Sequence, residues 1–328
     1  MKTLYLHIGT EKTATTSIQM FCKKNRALLL DNGLLYPSVL SEEHNNAHFS
    51  LVASLLRKFD NNARIEFAGK GVLDFESEWG YLIKQINENP ENDILISAEH
   101  FSSRLSQEHI SKICAFFREN LATHNIKIVI NFRAYNELLV SAYSTMLKSG
   151  GRKSFGDYFQ AIPNKKYYFD YVAIIKNWSE FFGIENLIVD TFDSEYKSDG
   201  VVSRFLSSVG QKSIDVVEAD YIFNESLSPM TLVYGYKLNE KFHNNPNRKK
   251  ILKKFSDNTI GVEGDVLSVE QLSIIDICCR NDIQELKELF GKDRIRIKSI
   301  KWNNIKNSTC VFDGSEEYLL KVIAGLYS

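Results

Sequence analysis

Apolar positions along the chain alternate between short continuous runs and helical spacing. Leu4-Tyr5-Leu6-His7-Ile8 is an apolar run stopped by Gly9 and Thr10, and a helical pattern follows over about residues 15–30. The chain therefore opens as strand, tight turn and helix. Residues 33–37 read as a second short strand, residues 38–46 as a polar loop, and residues 48–59 carry helical periodicity. Asp93-Ile94-Leu95-Ile96-Ser97 is another run of buried type, behind the turn-like ENPEN. A helix is predicted over residues 106–121, with Gln107 and Glu108 in its first turn. Residues 126–132 (IKIVINF) are β-branched and form the clearest strand in the chain. Helices follow over residues 137–148 and 171–182, the second ended by Gly183, and residues 186–191 are a last strand. Beyond Asp199 the spacing is helical, over residues 201–209, 228–242, 269–290 and 316–327.

Strand and helix thus alternate through about residue 191, after which helices dominate. Alternation of this kind predicts an α/β fold of three layers, a parallel sheet with helices on both faces. No internal repeat, low-complexity segment or clear boundary interrupts it. The chain reads as a single domain, with a core over about residues 1–195 and a helical C-terminal part over about residues 196–328.

Composition narrows the class. The 328 residues are 44% hydrophobic and 25% charged, too apolar and too evenly charged for a disordered chain. Lysine plus arginine (40) nearly balances aspartate plus glutamate (41), which argues against a dedicated nucleic-acid binder. The five cysteines, Cys22, Cys114, Cys278, Cys279 and Cys310, have no zinc-type spacing. Their odd number and wide scatter fit reduced thiols, and hence a cytoplasmic setting. The N-terminal apolar run is too short for a signal-peptide core, and no stretch reaches the length of a membrane span.

The first candidate chemistry lies in Gly9-Thr10-Glu11-Lys12-Thr13-Ala14-Thr15-Thr16-Ser17, between the first strand and the first helix. In open α/β sheets ligands bind at the carboxyl ends of parallel strands. A helix N-terminus there offers free backbone N–H groups and the positive end of a dipole. Thr15, Thr16 and Ser17 add hydroxyl donors and Lys12 adds an ammonium, so the segment suits a phosphate or sulfate group; otherwise it is an ordinary threonine-capped turn. It is not a Walker A loop, whose pattern is G-x-x-x-x-G-K-[ST]: Lys12 stands three positions before Thr15, and no second glycine follows Gly9 in the segment. Metal-free handling of one phosphate-like group therefore fits better than ATP chemistry. A second candidate is Arg133, delivered at the end of the IKIVINF strand, with Ser141 eight residues on in the following helix. Arginine is a planar bidentate donor for phosphate, and the serine hydroxyl would fix orientation.

GTEKTATTSIQ resembles the 5′-phosphosulfate loop of sulfotransferases that use 3′-phosphoadenosine 5′-phosphosulfate (PAPS), in the bacterial branch of that P-loop-like family. His7, Gly9, Lys12, Thr13, Thr15, Thr16, Ser17 and Gln19 match the pattern, while Ala14 replaces the usual glycine. If that position needs a positive φ, alanine strains the turn. NFRAYNELLVSAYSTMLKSG is similar to the family segment in which an arginine and a serine hold the 3′-phosphate, here Arg133 and Ser141. YFDYVAIIKNWSEFFGIENLIV and Asn224-Glu225-Ser226-Leu227-Ser228 extend the likeness over most of the chain. No clean R-K-G segment for the 3′-phosphate is found.

The resemblance implies a sulfotransferase that moves a sulfuryl group from PAPS, without a metal, to a hydroxyl acceptor. Family analogy points to a carbohydrate, a glycan or glycolipid, as that acceptor. Gly9, Lys12, Thr13, Ala14, Thr15, Thr16, Ser17, Arg133 and Ser141 would bind the cofactor, with Lys12 also the cation facing the leaving phosphate. A general base is still needed. Glu99 and His100 fall just past the carboxyl end of the strand over residues 93–97, and both remain candidates; bacterial members carry S-x-E here, which favours Glu99. His7 and His48 are weaker candidates, since a lone histidine is more often structural. The basic stretches over residues 237–254 and 292–306 read as solvated helix faces, with attraction of an anionic acceptor as the sharper alternative. A P-loop-like kinase and a nucleotide-binding module without catalysis are the rival functions.

Overall fold

The computed structural model describes residues 1–40, 47–60, 74–160, 170–192, 200–217, 227–260, 266–292 and 294–297. Five strands, β1 (Lys2–His7), β2 (Leu34–Leu35), β3 (Asp93–Ser97), β4 (His124–Arg133) and β5 (Leu187–Phe192), form one sheet in the order β2-β3-β1-β4-β5. All four pairings are parallel. His7 lies in register with Ser97 on one side and Val129 on the other, so β1 is central. The chain leaves β1 toward the β2 edge, returns through β3, and then crosses β1 to reach β4. This reversal of direction puts a crevice at the carboxyl ends of β1, β3 and β4.

The helices in chain order are α1 (Thr15–Lys24), α2 (Arg26–Asp31), α3 (Phe49–Phe59), α4 (Phe75–Glu88), α5 (His100–Arg104), α6 (Gln107–Asn120), α7 (Tyr135–Lys148), α8 (Phe155–Gln160), α9 (Tyr171–Phe182), α10 (Val201–Ser208), α11 (Pro229–Lys241), α12 (Arg248–Asn258) and α13 (Val269–Phe290). Residues expected as one helix over 15–30 are two. Asn25 donates from both its backbone N–H (3.0 Å) and its side-chain Nδ2 (2.9 Å) to Phe21 O, which closes α1 before α2 begins. Helix α4 was absent from the periodicity reading, although its signals are ordinary. Asp74 caps it by accepting from Ser77 N–H at 3.0 Å, Glu76 and Glu78 occupy the first turn, and Trp79, Leu82 and Ile86 are buried. The helix expected over residues 316–327 and the polar stretch over residues 41–46 lie outside the described residues.

The described residues divide into two compact units built from non-consecutive stretches. The first comprises residues 1–133, 170–223 and 285–296, and the second residues 134–169, 224–284 and 297–328. In the first unit one face of the sheet, with Leu95 and Val129, is covered by Ile18, Phe21 and Cys22 of α1, Leu29 of α2 and Val202, Phe205 and Leu206 of α10. On the opposite face Phe132 stacks on Tyr171 of α9, with ring centroids 4.2 Å apart. Layers on both sides explain why the strands read as unbroken apolar runs. The described residues of the second unit are mainly helical. Buried polar groups among them are paired: Asn239 donates to Leu147 O and Gly151 O, both at 2.8 Å, while Ser228, Thr231 and Thr259 share hydroxyl contacts of 2.6–3.5 Å. Among the described residues no helix is long and apolar enough to cross a membrane.

Candidate functional site

The chain between β1 and α1 turns on three residues of positive φ: Gly9 (50°), Lys12 (70°) and Ala14 (59°). Gly9 cannot carry a side chain, since a Cβ there would stand 2.9 Å from Thr15 Cγ2. Ala14 is the residue before α1 and sits at φ 59, ψ 26, the left-handed region for which the sequence pattern normally supplies glycine. The loop holds itself through its own hydroxyls. Thr13 Oγ1 donates to Thr10 O at 2.7 Å, and Thr10 Oγ1 donates to Asn131 O at 2.8 Å on β4. Thr13 would thus meet an anion through its backbone N–H. The first amides taken up by α1 are Ser17 and Ile18, which donate to Ala14 O at 3.0 and 3.3 Å. The amides ahead of them belong to the first turn, where no intrahelical acceptor exists. Thr15 and Ser17 are nearly buried, and Thr16 and Lys12 are half-buried.

Arg133, the last residue of β4, closes the loop from the neighbouring strand. Its Nη1 donates to Lys12 O at 2.9 Å, and its guanidinium lies over the Phe192 ring, 5.2 Å from the centroid. Between the ends of β4 and β5 runs a cleft lined by Asn131, Asp190, Thr191, Phe192 and Arg204, the last paired with Asp190. Ser141 is half-buried on α7, in the second unit.

The end of β3 faces the same loop. Ala98 N–H donates to His7 O at 3.0 Å, and Glu99 Cβ is 3.6 Å from where a Gly9 Cβ would be. Gln19 Nε2 donates to Glu99 Oε2 at 2.8 Å and to Ser97 Oγ at 3.3 Å. His100 points elsewhere: its ring packs on Phe49 at 4.2 Å, and its Nδ1 is buried with no hydrogen-bond partner among the described residues. Burial pushes its pKa down, opposed by the negative charges of Glu99 and Glu11. Glu11 is itself paired with Arg104 at 3.6 Å. The two adjacent candidates are therefore separated in space, with Glu99 against the loop and His100 in the α3–α5 packing.

His7 and His48 are buried among structural contacts. His7 Nδ1 and Ser97 Oγ are 2.8 Å apart, and its ring meets Phe205 at 4.6 Å. Its Nε2 is buried without a partner among the described residues, 3.5 Å from the Cβ position of Gly9. Complete burial pushes its pKa down to about 3, so the imidazole is neutral. His48 Nδ1 accepts from Ser97 N–H at 3.0 Å, and Nε2 lies 2.9 Å from Pro37 O, which selects the Nε2–H tautomer. His48 thus fastens α3 to the end of β3. The role of Gln19 was not read from the sequence, where it appeared only as a pattern match. The available signal was a polar residue four positions after Thr15, on a helix face otherwise buried through Ile18 and Cys22.

No family model matches the chain. It is 24% identical over 204 residues to an uncharacterized protein of Archaeoglobus fulgidus, an alignment covering 60% of this chain and 54% of that protein. The chain thus spans about half the length of the curated relative it matches. Among solved structures, a sulfotransferase from Alicyclobacillus acidocaldarius superposes with a TM-score of 0.41 at 17% identity, covering 66% of this chain and 87% of that one.

Proposed function

We propose that the chain is a sulfotransferase whose Gly9–Ser17 loop holds the 5′-phosphosulfate end of PAPS and whose Glu99 removes the proton from a hydroxyl acceptor. The observation that carries this reading is the loop itself. Three positive-φ residues turn the chain at the carboxyl end of the central strand, directly before a helix N-terminus, with Glu99 beside them. Its donor set suits the group: first-turn amides, the Lys12 ammonium and the Thr16 hydroxyl are hydrogen-bond donors toward a tetrahedral oxyanion. Arg133 braces the loop through Lys12 O and is proposed as a partner of the 3′-phosphate.

In the reaction the acceptor oxygen forms a bond to sulfur while the bond from sulfur to the 5′-phosphate oxygen breaks. The electron pair goes to that phosphate, where Lys12 meets the growing charge, and the acceptor's proton goes to Glu99. A transferred group loosely bonded in the transition state puts the weight on positioning and charge. A carbohydrate remains the proposed acceptor class.

Adenosine 3′,5′-bisphosphate should raise the melting temperature in metal-free buffer, because ligand bound only to the native state stabilises it. ATP with Mg²⁺ should do much less. Tighter binding of ATP–Mg²⁺ would replace this reading with a kinase. Lys12→Ala should lower turnover by about 10²-fold while part of the bisphosphate affinity survives on the backbone amides. Glu99→Gln should leave bisphosphate binding intact and lower turnover by about 10²- to 10⁴-fold; full activity in that variant would remove Glu99 as the base.

A further inference from the structure

Four buried or half-buried polar side chains form a continuous chain beneath the loop: His7, Ser97, Gln19 and Glu99. The contacts are His7 Nδ1 to Ser97 Oγ (2.8 Å), Gln19 Nε2 to Ser97 Oγ (3.3 Å) and Gln19 Nε2 to Glu99 Oε2 (2.8 Å). The carboxylate fixes the directions at one end of this chain. A carboxylate only accepts, so Gln19 must present its NH₂ and not its carbonyl to Glu99. The second hydrogen of that NH₂ goes to Ser97 Oγ. The serine hydroxyl can then give its own hydrogen to His7 Nδ1, which a neutral imidazole accepts. Gln19 is 4% exposed, while Ser97 and His7 are fully buried, so this order is not exchanged with bulk water. Three of the four sit on different rigid elements: His7 on β1, Ser97 on β3 and Gln19 on α1.

We propose that Gln19 is the positioning residue of the site, holding the Glu99 carboxylate against the Gly9 loop, with Ser97 and His7 fixing the amide that does so. This inference rests on the reading of Glu99 as the base. One carboxylate oxygen is tied to Gln19, which leaves Oε1 to face the acceptor. An uncharged amide suits this task. A lysine or arginine there would orient the carboxylate equally well but would also hold it in its charged form, opposing the proton it has to take. Glu99 has three side-chain torsions and would otherwise sample many rotamers; restricting them matters because a base misplaced by about 1 Å costs on the order of 10²-fold.

The test is a double-mutant cycle of Gln19→Met and Glu99→Gln in the full chain. The reaction followed is release of adenosine 3′,5′-bisphosphate from PAPS in concentrated glycerol, where glycerol and water are the probe acceptors. Melting temperature and bisphosphate affinity by calorimetry accompany it. Gln19→Met alone should lower kcat about tenfold or more, with KM for PAPS and bisphosphate affinity changed less than about twofold. In the Glu99→Gln background the same substitution should change the rate by less than about twofold, because nothing is left to position. Equal losses in both backgrounds, or a loss that appears in KM and bisphosphate affinity, would overturn the inference and make Gln19 a support of the loop. Should Gln19→Met fail to fold, Ser97→Ala carries the same cycle, with a smaller loss that again vanishes beside Glu99→Gln. An unsubstituted protein that neither binds the bisphosphate nor turns over PAPS would overturn the sulfuryl-transfer reading and this inference with it. Turnover with multiplicative losses overturns the inference alone.

Discussion

Ala14 stands at φ 59 and ψ 26, a region that costs an L-residue with a Cβ roughly 1–2 kcal/mol. The sequence pattern alone marked the position as unusual, but only the backbone shows that the left-handed conformation is retained without glycine. Ala14→Gly should therefore stabilise the protein by about 1 kcal/mol, read as a higher urea midpoint at constant slope. An unchanged or lower midpoint would mean that the loop relaxes around alanine. Gly9→Ala should do the reverse, because its Cβ meets Thr15 in addition to the positive φ. His7 gives a pH signature. Its pKa is about 3 when buried against an ordinary value of 6.5, so the unfolded chain binds the proton first. Its contribution is complete above about pH 6.5 and declines as pH falls toward 3, with a slope of up to about 1.4 kcal/mol per pH unit. Denaturation between about pH 6.5 and 5, above most carboxylate titrations, should show that slope, and His7→Gln should reduce it.

At the scale of elements, periodicity located most strands and helices because it reports which side of an element is buried. Strand β3 and helices α9 and α13 begin and end where the pattern does. The break between α1 and α2 was not legible, since Asn25 interrupts the helix by bonding back to Phe21 O without disturbing the apolar spacing. The cap of α11 illustrates a local signal strengthened by distant residues. Ser228 accepts from Thr231 N–H at 3.2 Å, as a serine before Pro229 should. Its hydroxyl also lies 2.6 Å from Thr259 Oγ1, and its backbone N–H donates to Ser256 Oγ at 2.8 Å. Ser228→Ala should cost about 1–2 kcal/mol, near the upper end for a cap, because buried hydroxyls lose a partner along with the amide. Thermal denaturation would check it, and a loss of only a few tenths would show the cluster to be slack.

At the scale of the whole molecule, the first unit is completed by a segment that returns from far along the chain. Residues 285–296 belong to it, with Ile295 fully buried. Thr191 Oγ1, at the end of β5, donates to Arg294 O and accepts from Arg296 N–H, both at 3.1 Å. Thr191 is 3% exposed, so Thr191→Val keeps the shape and removes the side-chain partner of two backbone groups. The expected loss is about 1–3 kcal/mol. Hydrogen exchange should show faster exchange at the Arg296 amide in that variant; unchanged protection there would mean that the segment is held by packing alone.

The sequence by itself determined the alternation of strand and helix and the turn after the first strand, because these follow from local spacing and from the backbone preferences of single residues. It also carried the donor chemistry of the Gly9–Ser17 loop. The tertiary structure alone decided the strand order β2-β3-β1-β4-β5, which places the ends of β3 and β4 on either side of the loop. It likewise separated Glu99, held by Gln19 from α1, from His100, held against Phe49 of α3. Neighbours in sequence point in different directions at a helix start, and which one meets the loop depends on a contact between residues 80 positions apart, Gln19 and Glu99. Such contacts leave no periodic trace in a single sequence.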